Sequence, residues 1–444
     1  MELIIIPYED ADNVRPSALS NALLDPLGLW SPRYASPHAA SNSCILTPPT
    51  FICPRNGFVA LLSSSQPRAI SQAFIQDTAH SRFVETGTRR KSRMSAYPKT
   101  TKITDLKIYP IKSCRGFSVK TSTLTRQGLK HDRCCMFIDA NSKFITIRDK
   151  PEMTLIKTNI DHDNAGKAVL KVTFPAITKT GGQDPQPNYE NATTIFVPLE
   201  ADQDWLSENA ELIEAEIWEY QTDAYAFTAP EITNVVTNYF TSWDPEANVR
   251  LVSKGPTPRE CRGNGSKELL GRQETVNFPD VLPIQVATET SLRELNSRLK
   301  ANGAGEITYE RFRPNVIVDS ENLQPWEEDE WKTLRINPPK SLMGSLSTMT
   351  GFGNESTDID VVARCARCQV PNVDPDTAVK NKKEPWTTLV SYRRVDEGVK
   401  YKPCYGMLCC PRTEGAIEVG MEMEIREVMQ AAGGKGEHRY VKGF

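Results

Sequence analysis

The fold is read from Ile103-Thr-Asp-Leu-Lys-Ile-Tyr109-Pro110. Apolar and polar residues alternate through it, as in a half-buried strand, and Pro110 stops it. The same texture recurs at Ser118–Leu124, Cys135–Asp139, Lys143–Ile147, Leu155–Ile160, Ala168–Phe174 and Thr194–Pro198, with turns at Gly128 and Asn141-Ser142. Short strands at this spacing predict a β-barrel. Thr178–Ala192, with Gly-Gly and two Pro, predicts a loop; residues 337–356, rich in Ser, Thr, Gly and Pro, predict a surface insertion. A helix is expected at Pro230–Trp243, with Ile232, Val235, Val236, Phe240 and Trp243 on one face. A second is expected at Glu289–Lys300, with Leu292, Leu295 and Leu299 on one face and Asn302-Gly303 at its end. Strands return at Ile359–Ala363 and near Ile417–Glu424. The fold class is mainly β with a few helices, α+β overall.

At 444 residues the chain has room for roughly three domains. Its 53 Lys and Arg against 56 Asp and Glu give a net charge of −3, which lacks the basic excess of a general nucleic-acid binder. Mean hydropathy is −0.45. The longest apolar runs, Leu3–Ile6 and Phe58–Leu62, are far too short to span a bilayer, so no transmembrane anchor is expected. Met1 followed by Glu2 argues against a secretory signal. Eleven Cys, an odd number with adjacent pairs at 134–135 and 409–410, suit free thiols in a reducing intracellular compartment. The cytoplasm is favoured, with mitochondria the alternative. The first 98 residues hold 16 charges against 93 in the other 346, show no periodicity, and read as a disordered extension, with Met94 a second candidate start.

Three constellations carry chemistry. In Tyr109-Pro-Ile-Lys-Ser-Cys114 a strand ends at a proline and Lys112 and Ser113 fall in the following turn. An ammonium, a hydroxyl and free backbone amides suit a phosphate, although solvated turn residues look the same. His131-Asp-Arg133 puts another cation just before the strand at Cys135. In Tyr309-Glu-Arg-Phe-Arg-Pro-Asn315, Arg313 and Asn315 flank Pro314 ahead of an apolar strand, and a two-residue period sets both on one face. A guanidinium fork and an amide suit a heteroaromatic or phosphorylated ligand; a structural arginine at a strand edge is the alternative. The third is Arg364-Cys-Ala-Arg-Cys368-Gln-Val-Pro-Asn-Val-Asp374-Pro-Asp-Thr377. Its CxxC can be a redox pair, half of a zinc site completed by Cys404, Cys409 or Cys410, or one metal ligand beside a spectator. A thiolate beside Arg364 and Arg367 would have a lowered pKa and would suit a thiophilic metal.

Taken in order, and with Trp326-Glu-Glu-Asp-Glu-Trp331 and Lys383-Glu-Pro-Trp386, these motifs resemble the MOSC-domain molybdenum proteins preceded by an N-terminal β-barrel module. The amidoxime-reducing components are the branch most like it. The resemblance spans residues 102–427. It implies a low-order extension at 1–98, an N-terminal barrel domain at 99–228, a MOSC domain at 229–430 and a tail at 431–444. It also implies a molybdenum cofactor (Mo-molybdopterin), with Cys368 as the metal ligand and Cys365 as a neighbour that does not ligate. Lys112, Ser113 and Arg133 match residues on the pyranopterin phosphate. Arg313 and Asn315 match residues on the pterin, and Arg367 belongs to the same binding set. Asp280, in Pro279-Asp-Val-Leu-Pro283, matches an acid near the open side of the metal.

The activity implied is an oxidoreductase that removes oxygen, as water, from N-hydroxylated, amidoxime-type substrates, with Asp280 passing a proton. Electrons would come from a b-type cytochrome and its flavin reductase. Ala366, Val281, Leu282 and Ala378 depart from the pattern, where relatives carry Ser, small hydroxyl residues and Gly. Two other readings stand beside this one. One is a cofactor-sulfuration or carrier protein, like the C-terminal part of the cofactor sulfurases without their pyridoxal-phosphate domain. The other is a structural zinc protein.

Overall fold

The structure is a computed structural model and describes residues 99–178, 186–338, 355–431, 434–435 and 438–441. The expected extension, residues 179–185 of the expected loop and most of the expected insertion lie outside these. All described residues belong to one compact unit, Arg89–Phe444.

The first strand is β1 (Lys99–Ile108). It is followed by β2 (Cys135–Ile138), β3 (Lys157–His162), β4 (Ala168–Thr178), β5 (Gln186–Pro198), β6 (Ala210–Ile217), β7 (Tyr220–Phe227), helix α1 (Pro230–Trp243) and β8 (Arg250–Lys254). Strands β2, β8, β7 and β6 pair in that order, and β3, β4 and β5 form a separate sheet. The apolar face of α1 packs on both. Phe240 lies edge-on to Phe137 of β2 at 5.1 Å, and Tyr239 meets Phe174 of β4 at 5.2 Å. The rest of the chain supplies β9 (Ile284–Thr288), α2 (Glu289–Ala301), β10 (Val316–Asp319), β11 (Trp331–Ile336), β12 (Thr357–Ala366), α3 (Trp386–Tyr392), β13 (Cys404–Pro411) and β14 (Glu422–Val428).

Seven of these strands close into a barrel, in the order β10, β9, β13, β12, β11, β14, β1 and back to β10. Closure imposes a parity. Strand direction must be restored after one circuit, so the antiparallel junctions must be even in number, and an odd barrel needs a parallel one. Here that junction is β9–β10. A parallel pair cannot be joined by a tight hairpin, and α2 makes the crossover, its first turn capped by Thr288 accepting from the Ser291 amide at 3.2 Å. Inside lie Ile103, Leu106, Val286, Val316, Leu334 and Val361, all buried.

A bulge in β1 between Ile103 and Asp105 explains its imperfect alternation. The extra residue resets the phase, so Ile103 and Leu106, three apart, both face the core. Two expectations need correction. Lys143–Ile147 is not a strand but holds two isolated bridges, at Lys143 and Phe144. The Asp149 carboxylate takes both the amide and the hydroxyl of Thr146, and such side-chain bonds compete with a ladder. The expected loop is also too long, because β5 begins at Gln186. The long partner β4 draws Gln186, Pro187 and Asn188 into pairing with Thr178, Ile177 and Ala176, so tertiary pairing overrides weak β-propensity.

The barrel should therefore depend on its first strand. A chain begun at Met94 keeps all seven strands and is expected to fold and bind as the full chain does. One begun at Tyr109 leaves β10 and β14 with unpaired edges and should be insoluble. Expression and gel filtration of both chains check this; a soluble, cooperatively melting Tyr109 chain would remove the requirement.

Candidate active site

The site grows directly from the end of β1. Past Ile108 the chain turns and zips against residues 131–135. The Arg133 amide donates to the Tyr109 carbonyl at 2.8 Å, the Cys135 amide to Pro110 at 2.9 Å and the Lys112 amide to Cys135 at 2.8 Å. Lys112 and Arg133, 21 residues apart in sequence, are thereby brought together. Asp132, buried and not foreseen from sequence, locks the arrangement. One of its carboxylate oxygens accepts from the Tyr109 amide at 2.8 Å and the other from Arg133 Nη1 at 2.6 Å.

Arg133 also reaches Asn315 and Arg313. Its Nη1 donates to Asn315 Oδ1 at 3.0 Å and its Nη2 to the Arg313 carbonyl at 2.9 Å. The expected two-residue period does not apply, because β10 starts only at Val316 and Arg313 is left-handed (φ 57°). The residues meet through Arg133 instead. The Tyr109 ring lies against both guanidiniums, 4.7 Å from Arg133 and 4.3 Å from Arg313. A Cβ on Gly116 would overlap that ring and the Ile108 carbonyl, so only glycine fits behind it. Arg313 Nη1 donates to the Cys114 carbonyl at 2.7 Å, but its Nη2 is buried without a partner, as is the Tyr109 hydroxyl. Burial and the neighbouring Arg133 hold the Arg313 pKa below its ordinary value.

A second cluster surrounds Asp280. Lys112 Nζ donates to its carboxylate and, at 3.0 Å, to the Phe278 carbonyl. The Trp218 indole donates to the same carboxylate at 2.9 Å. The Arg148 guanidinium stacks 4.7 Å over the Trp218 ring and donates to Cys368 Sγ at 3.4 Å. A chain of contacts thus runs from Cys368 through Arg148 and Trp218 to Asp280 and Lys112. Burial alone would raise the Asp280 pKa, but Lys112, Arg148 and Trp218 outweigh it and hold the carboxyl far below the usual range. Burial lowers the Lys112 ammonium to about 8, against the opposing pull of Asp280. The two clusters touch through Phe278, whose amide donates to the Arg133 carbonyl at 2.9 Å. Beside Asp280 opens a cleft of about 560 Å³ between the β6–β7 hairpin and residues 257–262.

Arg148 and Trp218 had no local motif to announce them. Trp218 does carry a signal in retrospect. With Glu219 it forms the two-residue turn between β6 and β7, both residues at positive φ, where Asn-Gly is the favoured pair and a tryptophan is a poor choice. Ser113 (φ 72°), Arg133 (φ 45°), Trp218 and Arg313 are four of the nine described non-glycine residues at positive φ. Such a conformation costs an L residue about 1–2 kcal/mol, and its concentration here marks a site held under strain.

Other expected residues lie elsewhere. Arg364 is not beside the Cys368 thiol; it is buried against Asp329 and Asp396 and donates to the His438 carbonyl at 2.7 Å. Arg367 commits its donors to the carbonyls of Tyr405 and Phe312, so it fixes the backbone ahead of Cys368. Cys365 packs against the cluster of Cys261, Leu282 and Cys410, and burial pushes its thiol up. Cys409 and Cys410 point to opposite faces of β13, one into the barrel and one into that outer cluster, so they cannot share an ion. Among the described residues no three His, Cys, Asp or Glu side chains gather as a zinc site would require.

A closed seven-strand barrel, two flanking sheets and a thiol linked to a carboxylate beside a cleft define the class of protein. Residues 100–228 match the MOSC N-terminal beta barrel domain and residues 273–424 match the MOSC domain. The chain thus carries a MOSC N-terminal beta barrel domain followed by a MOSC domain. Among its relatives are mitochondrial amidoxime reducing component 2 of Rattus norvegicus, 28% identical over 70% of this chain and 80% of its own length, and component 1 of Homo sapiens, 25% identical over 72% and 81%. The molybdenum cofactor sulfurase of Solanum lycopersicum is 29% identical over 69% of this chain but only 33% of its own length. The expectation of a cytoplasmic chain gains no support from relatives named as mitochondrial. Among the described residues no helix is long and apolar enough to cross a membrane.

The loop after Cys368 is built tightly. The Asp374 carboxylate accepts from the amides of Asp376 and Thr377 and from Arg311 Nη2, while Arg311 Nη1 holds the Pro371 carbonyl. Ala378, buried, closes it at φ 60°. Ala378→Gly removes the left-handed penalty and should stabilise the protein by about 1 kcal/mol. Denaturant melts of the two proteins check the sign; an unchanged or lower midpoint would mean that the alanine methyl contributes more through packing than its backbone costs.

Proposed function

We propose that the chain is a molybdenum-cofactor-dependent oxidoreductase that reduces N-hydroxylated, amidoxime-type compounds. One observation carries the reading: a half-buried thiol, Cys368, is joined through Arg148 and Trp218 to an ionised carboxylate on the wall of a cleft. The names of the amidoxime-reducing relatives support it. When bound, the cofactor supplies two-electron chemistry at a thiolate-ligated metal. The residues fit such a group. Cys368 is a soft ligand, and the buried, unpartnered Arg313 Nη2 is a donor that an anionic or heteroaromatic group would satisfy. Arg313, Arg133, Ser113 and Asn315 would hold the phosphate and pterin, Arg367 would keep the cysteine loop in place, and Lys112, expected with the phosphate group, is instead assigned to the substrate side because its Nζ is engaged by Asp280 and the Phe278 carbonyl. A b-type cytochrome with its flavin reductase is the proposed electron source, and mitochondria the proposed location.

In this reading the proton roles divide between Asp280 and Lys112. A carboxyl held as far down as Asp280 is ionised at neutral pH, so it orients a proton and does not carry one. Lys112 Nζ, hydrogen-bonded to it and eased to about 8, holds the proton for the leaving oxygen. A cofactor carrier related to the sulfurase is the second reading, favoured by the 29% identity to that protein. Expression in a host that makes the cofactor, followed by molybdenum and pterin analysis and a benzamidoxime-reduction assay, separates the two. A carrier binds cofactor and reduces nothing.

Three outcomes are expected of the loaded protein. Cys368→Ser should abolish most activity and change the molybdenum absorption spectrum, because oxygen is a harder donor than a thiolate. Cys365→Ser should show only a packing cost; equal loss in both would overturn the assignment. Arg133→Ala or Arg313→Ala removes a charge-assisted bond worth about 1.5–3 kcal/mol when buried and should lower cofactor content without unfolding the apo protein. Finally, kcat/KM should decline above about pH 8 as Lys112 loses its proton. Asp280 favours the charged lysine, so Asp280→Asn should move that decline to lower pH. A decline at unchanged pH would remove Lys112 from the role.

A further inference from the structure

The cleft beside Asp280 is not charge-neutral in its free groups. Two of its carboxylates are already engaged: Asp280 by Lys112 and Trp218, and Asp223 by Lys254 Nζ at 2.7 Å and the Thr257 amide at 2.8 Å. Among the described residues its two arginines make no direct ion pair with a carboxylate, although Asp280 lies close enough to act on Arg259. Arg259 is largely enclosed and donates through Nε to the Asn277 carbonyl at 2.8 Å and through Nη2 to Pro279, which holds its fork in one orientation and leaves Nη1 over. The Arg262 guanidinium carbon sits over the Tyr220 ring, 3.5 Å from its centroid. Both line the cleft together with Asp280. Leu212 of the β6–β7 hairpin, 56% exposed, also borders the cleft. Glu214 and Glu260 are exposed at the rim, where water screens them.

An enclosed guanidinium held only by main-chain carbonyls keeps donor capacity for a ligand anion, and a pair of guanidinium forks is the arrangement that best grips a planar carboxylate or a phosphate. The volume suits a ligand of one or two rings. We infer that this cleft selects substrates bearing an anionic group, carboxylate or phosphate, which Arg259 and Arg262 hold while the reducible end faces Asp280. The inference rests on the redox function proposed above and adds to it a specificity determinant. Arg259, backed by main-chain carbonyls, fixes the direction of approach. Arg262, on a ring platform, adapts to the size of the anion.

The test uses the cofactor-loaded enzyme. Benzamidoxime and 4-carboxybenzamidoxime are compared as substrates, and binding of benzoate, phenyl phosphate and benzamide is measured by calorimetry. The carboxylated substrate should have a kcat/KM about tenfold higher, expressed in KM. Benzoate and phenyl phosphate should bind and benzamide should not, with the tighter of the two anions identifying the natural group. Arg262→Gln should bring the substrate ratio close to one and abolish benzoate binding. Arg259→Gln should do the same, and because Arg262 is exposed its variant reports even if Arg259→Gln misfolds. Equal kcat/KM for the two amidoximes, or a preference that survives in Arg262→Gln, would overturn the inference and leave the redox function standing. Benzoate binding that depends on Arg262, in a protein that reduces neither amidoxime, would support the anion site and sink the redox function.

Discussion

Everything at the site depends on where β1 ends. The strand closes the barrel between β10 and β14, and its last residue is followed without a linker by the turn that zips onto Arg133. The Lys107 amide donates to the Asn315 carbonyl at 2.8 Å, and Asn315 Nδ2 returns a bond to the Lys107 carbonyl at 3.2 Å. Barrel wall and arginine cluster are therefore one hydrogen-bonded object. A shift of β1 by one residue would turn its side chains to the other face and pull Tyr109, Lys112 and Arg133 out of place together.

The strain at the site follows from the same economy. Four residues with left-handed backbone stand around two sets of like charges, Arg133 with Arg313 and Lys112 with Arg148. Neither feature would persist alone. Asp132, Asp280 and the Tyr109 ring supply the compensating contacts, and main-chain carbonyls of Cys114, Arg313 and Phe278 absorb most of the remaining donors. Among the described residues at the site, what is left over is one buried nitrogen on Arg313 and the buried Tyr109 hydroxyl, beside a half-buried Cys368 sulfur held only by Arg148. A rigid scaffold with so few unsatisfied groups is preorganised: little rearrangement is needed when a ligand arrives.

Much of this was legible in the sequence, for identifiable reasons. Strand texture, the α1 and α2 faces and the order of motifs are local, so Pro230–Trp243 is legible to its boundaries and Lys112, Arg133, Arg313 and Asn315 stand out by residue type and motif alone. Contacts made across long separations were not legible. Arg148 reaches Cys368 across 220 residues, and nothing around it differs from an ordinary surface arginine. Arg364 misled for the opposite reason. Adjacent to Cys365 in the chain, it leaves on the other face of β12 and neutralises Asp329 and Asp396. The bulge in β1 and the recruitment of Gln186–Asn188 into β5 were hidden because each depends on a partner strand distant in sequence or extended beyond its own propensity.

Barrel closure has a consequence for biosynthesis. β1 is the first of the described strands to leave the ribosome, yet of its two neighbours in the barrel, β10 begins at Val316 and β14 ends at Val428; only Leu106–Ile108 has a local partner, Phe117–Val119. Roughly 300 further residues must be made before both flanks of β1 can be satisfied, about 15–60 s at 5–20 residues per second. During that interval an extended segment with two largely open edges is exposed, the form in which chains most readily pair with the wrong neighbour. Closure of the barrel is thus a late event by geometry, and until it happens most of Lys99–Ile108 depends on being kept from wrong partners.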